Sequence, residues 1–177
     1  MEKTCFIWDI LDKNSRTECF STYYKSDIGV LRIEYGSSYE NTKILREIID
    51  EFCTIFWIPA KWKTRLVLIY DELNNNAIEH WSAESDLNYC YISLEKRNEG
   101  IYVIGYVEDT GKAEKSKNYN DLKAMQEEFK NKDFSKHHSI RWRWLFLIIS
   151  QLVNFLDFRP ASLWWVQVYF EKLIPLE

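Results

Sequence analysis

Apolar residues recur at helical spacing along two successive stretches of the chain. The first runs from Tyr39 to Phe56, follows a Gly-Ser-Ser turn that can cap a helix, and ends before Ile58-Pro59. The second runs from Pro59 to about His80 and keeps its spacing through three consecutive asparagines, although asparagine is a poor helix former. The pattern predicts two amphipathic helices, the second of which uses at least one asparagine for more than solvation.

Other stretches alternate between apolar and polar residues, which is typical of strands. The predicted strands are Ile28–Tyr35, Asp86–Lys96, Ile101–Glu108 and Val166–Phe170, with a hairpin turn at Arg97–Gly100. A highly charged segment, 112–139, follows the hairpin and has weak helical periodicity only near Leu122–Phe129. The apolar run Leu145–Phe158 predicts a buried helix that Pro160 ends.

These elements do not alternate strictly between strand and helix, which predicts an α+β protein. We expect a two-layer sandwich in which a mixed, mostly antiparallel sheet carries helices on one face. Residues 28–177 are predicted to form one domain. Residues 1–27 form an N-terminal extension whose pattern is hard to interpret and could supply an extra strand or hairpin.

Composition narrows the class of protein. The 177 residues are 46% hydrophobic and 28% charged, which is typical of a soluble globular domain, and the net charge of -4 gives no basic footprint for nucleic acid. The four cysteines show no CxxC spacing, which favours packed, reduced thiols over disulfides or a zinc site. The chain starts without a signal pattern, and its longest apolar run is too short to span a bilayer. We therefore expect a cytoplasmic protein that binds neither nucleic acid nor membrane.

The asparagine-rich stretch carries the candidate chemistry. Glu72, Asn76 and His80 are spaced four residues apart, so they are predicted to share one helix face. A carboxylate one turn from an amide oxygen can orient a water molecule and help to hold Mg²⁺. A solvated polar face is the alternative interpretation, because charged and amide side chains on helices usually face water.

Two motifs in this order resemble the GHKL ATPase superfamily, in its anti-sigma-factor serine kinase branch. The first is Glu72-x-x-x-Asn76-Ala77-Ile78-x-His80, similar to the N-box of that superfamily, and the second is Asp109-x-Gly111 after a strand. A long loop and a helix follow, as in the family, and the resemblance covers residues 28–172. It implies the Bergerat ATP-binding fold.

The resemblance also implies a role for each matching residue. Glu72 would be the general base that takes the proton from a substrate hydroxyl, and Asn76 would hold Mg²⁺. Asp109 would accept a hydrogen bond from the adenine amino group, and Gly111 would let the backbone approach the base. Ala113 stands where the first glycine box of the family has its last glycine.

The segment 112–140 would be the ATP lid, and basic side chains at its end could contact phosphate. These are Lys136, Arg141 and Arg143, for which solvated charge is an equally good interpretation.

As a whole, the resemblance implies ATP-dependent phosphorylation of a serine or threonine on an antagonist protein, together with binding of a sigma factor or another regulator. A homodimer is compatible with it. The alternatives are a catalytically inactive partner-switching module and, less favoured, the catalytic domain of a sensor histidine kinase, because no dimerising helix with a phospho-accepting histidine precedes the domain.

Tryptophan stands where the family has glycine. The second glycine box, Gly-x-Gly-Leu, should open the helix after the lid, but Trp142 and Trp144 occupy its two glycine positions. Similar replacements occur after the N-box, before the last strand, and at the end of the first long helix, where a C′ glycine is expected. They are Trp81, Trp164, Trp165 and Trp57.

We interpret these tryptophans as UGA codons, which some bacterial lineages translate as glycine and others as tryptophan. Glycine is scarce, at 5 of 177 residues, whereas tryptophan occurs 8 times. Replacing every tryptophan except Trp62 would bring glycine to the roughly 7% that is average. If Trp142 and Trp144 are real, two indoles fill the phosphate-binding turn and the domain is degenerate. The kinase prediction therefore depends on glycine at both positions.

Overall fold

The computed structural model describes residues 2–21, 27–81, 86–109, 119–130, 151–161 and 166–175. Within them lie six strands, β1 to β6, and four α-helices, α1 to α4. The strands are β1 Glu2–Phe6, β2 Ile28–Gly36, β3 Leu87–Arg97, β4 Gly100–Glu108, β5 Phe155–Pro160 and β6 Val166–Pro175. The helices are α1 Lys13–Ser21, α2 Tyr39–Ile55, α3 Ala60–Asn76 and α4 Tyr119–Lys130, with a 3-10 turn at Ile7–Ile10 and a π-helical turn at Ala77–Trp81.

The six strands form one sheet in the order β1-β2-β3-β4-β6-β5. The pair β1–β2 is parallel and every other pair is antiparallel, which confirms the predicted mixed, mostly antiparallel sheet. Side chains of β2, β3 and β4 alternate between buried and partly exposed positions. One sheet face therefore belongs to the core, and the α+β architecture is compatible with a two-layer sandwich.

Helices α2 and α3 pack together against the core face of the sheet. Two ion pairs join the helices at their surface, Arg46 to Asp71 at 2.7 Å and Lys63 to Asp50 at 3.1 Å. The buried apolar residues of both helices belong to one cluster with those of the strands. Since exposed ion pairs contribute little, this apolar cluster is what holds the pair of helices on the sheet.

The missing side chain of Gly105 leaves a gap on the core face of the sheet, and this gap helps to position α3. Gly105 has no side chain, and a Cβ there would lie 2.3 Å from both the Tyr70 hydroxyl and the Phe170 ring. Tyr70 uses this space to donate a hydrogen bond to the backbone carbonyl of Tyr91 at 2.6 Å. Burial raises the pKa of Tyr70 well above its ordinary value, so its hydroxyl stays protonated as a donor. The asparagine-rich end of α3 is thereby held over β3 and β4.

The N-terminal segment adds to the same sheet and core. Strand β1 extends the sheet beside β2, and the side chain of Arg16 in α1 is buried against α2. Its guanidinium donates to the carbonyls of Ile10 and Leu11 and pairs with Glu47 and Glu51. The sequence left open an extra strand or a hairpin in this segment, and the structure has a strand followed by a short helix.

One predicted element is wrong in part. The run Leu145–Phe158 was expected to be helical throughout, but Gln151 and Leu152 are the last helical residues and Phe155–Pro160 is strand β5. The chain bends at Asn154, between the helical residues and β5. The Asn154 side chain accepts a hydrogen bond from the Leu173 N–H at 2.9 Å. None of the described helices is long and apolar enough to cross a membrane.

Candidate functional site

The asparagine-rich end of α3 meets the sheet at a buried polar cluster. Asn74 is fully buried, and its Oδ1 accepts a hydrogen bond of 2.6 Å from the Tyr35 hydroxyl on β2. The Asn74 amide nitrogen lies 4.0 Å from the sulfur of Cys90 on β3. The first asparagine of the three is thus a buried anchor between helix and sheet, which explains how a poor helix former is retained there.

Asp109 belongs to this cluster. Register pairs Tyr35 with Asn88 and Tyr89 with Glu108, so Asp109 follows directly beside Asn88 on the same face. Asp109 is 1% exposed, and its N–H donates to the Val166 carbonyl at 3.2 Å.

The electrostatics agree with this placement. Burial raises the pKa of Tyr35 well above its ordinary value, and electrostatic interactions with Cys90 and Asp109 raise it further. Burial likewise raises the pKa of Cys90 to about 12. Both groups are therefore neutral at physiological pH, and the buried carboxylate of Asp109 lies near them. Such a carboxylate is suited to accept hydrogen bonds from a neutral amine.

Asn88 ties the cluster to the turn before α2. It is fully buried, and its amide donates to the Ser37 hydroxyl at 3.0 Å, while that hydroxyl donates to the Asp86 carbonyl at 3.2 Å. The predicted site residues did not include Tyr35, Asn74 or Asn88. In the sequence, only the run of asparagines on an apolar stripe pointed to this cluster. The other members could not be predicted, because cross-strand neighbours can be assigned only once the register is known.

The predicted catalytic pair lies one turn apart on α3. Asn76 is 3% exposed, and its amide nitrogen donates to the Glu72 carbonyl one turn earlier, whereas the Glu72 side chain is half-buried. This bond uses the donor end of the amide and leaves Oδ1 as the atom that could ligate a cation. Directly after Asn76 the helix becomes π-helical, a distortion that is frequent at functional sites.

Most of the other predicted site residues lie outside the described ranges. They are Gly111, Ala113, Lys136, Arg141, Trp142, Arg143 and Trp144. His80 falls in the π-helical turn, where only its backbone is described. Among the described residues, no group of three or more His, Cys, Asp or Glu side chains could hold a metal ion.

Trp57 adopts the backbone conformation of a glycine. Its φ is 58°, the only positive value of a non-glycine residue in the described ranges, and its side chain is 71% exposed. The Trp57 N–H donates to the Thr54 carbonyl at 3.1 Å and the Ile58 N–H to the Cys53 carbonyl at 3.0 Å. This is the hydrogen-bond pair of a Schellman motif, in which the left-handed C′ residue is usually glycine.

Trp62, by contrast, is held by its side chain. It is partly buried against the core, and its ring lies between the Arg65 guanidinium, 4.5 Å from the ring centroid, and the Lys172 ammonium, 4.3 Å from it. It is also the one tryptophan that the sequence analysis kept as tryptophan. Its contacts link the start of α3 to β6.

No protein-family model matches the chain, and no curated protein matches it either.

Proposed function

We propose that this chain is an ATP-binding domain of the Bergerat fold that transfers the γ-phosphoryl group of ATP to a serine or threonine of a regulatory protein. The observation that carries the proposal is the meeting of two motifs that are more than thirty residues apart in sequence. The asparagine-rich helix and Asp109 converge on Tyr35, in the order and on the elements that the resemblance implies. The mixed sheet, with α2 and α3 packed on one face, supports the same fold.

In this proposal Asp109 recognises adenine. A buried carboxylate that accepts a hydrogen bond from the exocyclic amine favours adenine over guanine, which has a carbonyl at the corresponding position. Burial excludes water, so the hydrogen bond contributes more to affinity there than on the surface. Next to this carboxylate, hydrogen bonds join Tyr35 to Asn74 and Asn88 to Ser37.

Glu72 and Asn76 carry the transfer chemistry. The half-buried Glu72 carboxylate accepts the proton of the attacking hydroxyl, and Asn76 offers its amide oxygen to Mg²⁺. When bound, Mg²⁺ offsets the charge that develops on the phosphates. The phosphate acceptor is expected to be a serine or threonine of an antagonist protein. A sigma factor or a comparable regulator is expected to be a second partner.

The proposal requires glycine at positions 142 and 144, and Trp57 supports the translation hypothesis behind it. Peptide mass spectrometry of the protein from its own source is the first test. Cleavage after glutamate gives a peptide, 52–72, that contains both Trp57 and Trp62, and we expect one glycine and one tryptophan in it. The same cleavage gives a peptide, 129–171, that should carry glycine at 142 and 144. Tryptophan at 142 and 144 would instead leave a non-catalytic binding module.

Phosphoryl transfer tests the proposal itself. The protein with glycine at 142 and 144 should bind Mg·ATP and phosphorylate a co-encoded regulatory protein. Glu72→Gln should lower the transfer rate by at least about a hundredfold while ATP affinity stays within about twofold. Asp109→Asn should lower ATP affinity and spare GTP affinity. Glu99→Gln, in the exposed β3–β4 turn, is the matched control and should change neither.

Two results would contradict the proposal. One is a glycine-containing protein that binds no nucleotide. The other is a protein that binds ATP equally well with and without Asp109, since adenine recognition would then lie elsewhere. Binding without transfer to any candidate partner would remove the kinase assignment alone and favour the partner-switching module.

A further inference from the structure

Two hydrogen bonds from tyrosine hydroxyls join the last turns of α3 to the sheet. Tyr70 of the helix donates to the Tyr91 carbonyl on β3 at 2.6 Å. One turn later, the Asn74 side chain accepts a hydrogen bond of 2.6 Å from Tyr35 on β2. Residues four apart lie on the same side of a helix, so both bonds hold one side of α3 against the sheet. Two fixed points along this side define the rotation of the helix about its own axis.

The bond at Asn74 is enclosed by the core. Tyr35 is fully buried and Asn74 is 1% exposed, so bulk water does not compete for either group. Burial raises the pKa of Tyr35 well above its ordinary value, so its hydroxyl stays protonated and donates. The Cys90 sulfur, 4.0 Å from the Asn74 amide nitrogen, is only a weak acceptor. Among the described residues, the Tyr35 hydroxyl is therefore the group that fixes the Asn74 side chain.

The predicted catalytic groups lie on the opposite flank of the same turn. Successive residues of an α-helix are about 100° apart around its axis, which places Asn74 about 200° from Glu72 and from Asn76. A rotation of α3 that took Asn74 away from the sheet would therefore move the other two in the opposite direction. They would also move together, because the Asn76 side-chain amide donates to the Glu72 carbonyl.

The helix does not fix this turn from its C-terminal side. The Ala77 N–H is shared between the carbonyls of Leu73 and Asn74, and the chain continues as the π-helical turn Ala77–Trp81. A π-helical turn interrupts the regular bonding pattern of the α-helix. The side-chain bond at Asn74 lies directly before this interruption, so it supplies a constraint that a continuous α-helix would otherwise give.

We infer that the hydrogen bond between Tyr35 and Asn74 holds the turn Glu72–Asn76 in the orientation that phosphoryl transfer requires. Both are thus positioning residues, and the inference rests on the proposed function. A general base acts only within hydrogen-bond reach of the hydroxyl that it deprotonates, and a misplacement of about 1 Å can lower a rate about a hundredfold. Loss of the bond should therefore slow transfer and spare adenine recognition by Asp109.

Tyr35→Phe removes only the donor. In the protein with glycine at 142 and 144, it should lower kcat for transfer at least about tenfold, while the Kd for ATP without Mg²⁺ stays within about twofold. Hydrogen exchange without nucleotide is the second readout, and the backbone amides of 74–78 should exchange faster relative to those of α2. Tyr102→Phe removes a hydrogen bond to Glu171 on the other face of the sheet, so it is the matched control and should change none of these values.

The double variant Tyr35→Phe with Asn74→Leu separates positioning from stability. It removes the orphaned carbonyl, so its melting temperature should exceed that of Tyr35→Phe, but transfer should stay slow because the orienting bond is still absent.

Three results would overturn the inference alone. They are a kcat that recovers together with stability, a Tyr35→Phe variant that transfers at the wild-type rate, and amides of 74–78 whose exchange does not change. A loss of ATP affinity at unchanged kcat would also overturn it, because Tyr35 would then act on Asp109. A wild-type protein that transfers no phosphate would contradict the proposed function itself and remove the inference with it.

Discussion

Trp57 and Trp62 lie five residues apart but differ in backbone conformation and in side-chain burial. Trp62 packs against the core between Arg65 and Lys172, so its side chain contributes to stability. Trp57 has no comparable burial. Its backbone adopts a left-handed conformation that a Cβ makes energetically unfavourable. The difference shows that side-chain contacts identify a position that requires tryptophan, whereas backbone geometry identifies a position that requires glycine.

Trp62→Ala should give the largest loss of stability. The substitution removes a large, partly buried ring and two cation–π contacts, and we expect the free energy of unfolding to fall by about 2–3 kcal/mol. Denaturant unfolding measures it. Trp62→Phe keeps an apolar ring and should recover part of the loss. If Trp62→Ala costs nothing, the contrast with Trp57 disappears.

The hydrogen bond between Tyr35 and Asn74 is a second stabilising side-chain contact, like those of Trp62, and it lies beside the candidate site. Tyr35→Phe leaves the buried Asn74 without its donor and should lower the free energy of unfolding by about 1–2 kcal/mol. Asn74→Leu in the same protein removes the orphaned acceptor. A double-mutant cycle should therefore show a coupling energy of at least about 1 kcal/mol. Additive effects would mean that the bond contributes little.

The sequence predicted the elements that have a clear period. The helices α2 and α3 and the hairpin β3–β4 were predicted because their apolar stripes and alternation are long. Strand β5 was missed because its short apolar segment continues the run from Leu145, and periodicity cannot separate a short buried strand from a helix.

For the site, the sequence proposes individual residues but not their neighbours. Glu72, Asn76 and Asp109 follow from motif spacing. The roles of Tyr35 and Asn88 depend on strand register, which no local pattern contains. The place of residue 57 after the first long helix was predicted to suit a C′ glycine, and its φ of 58° agrees with that prediction.

Trp57→Gly should give the smallest effect, and its sign is the informative part. Glycine adopts φ of 58° without strain, and little side-chain contact is lost from a residue that is 71% exposed. We expect the free energy of unfolding to rise by about 1 kcal/mol, or the melting temperature by about 2–4 °C. Trp57→Ala is the matched control, because it removes the ring but keeps the Cβ, and it should not gain this stability. A loss of stability with glycine would show that the indole at residue 57 is needed, and Trp142 and Trp144 would then lose their structural parallel.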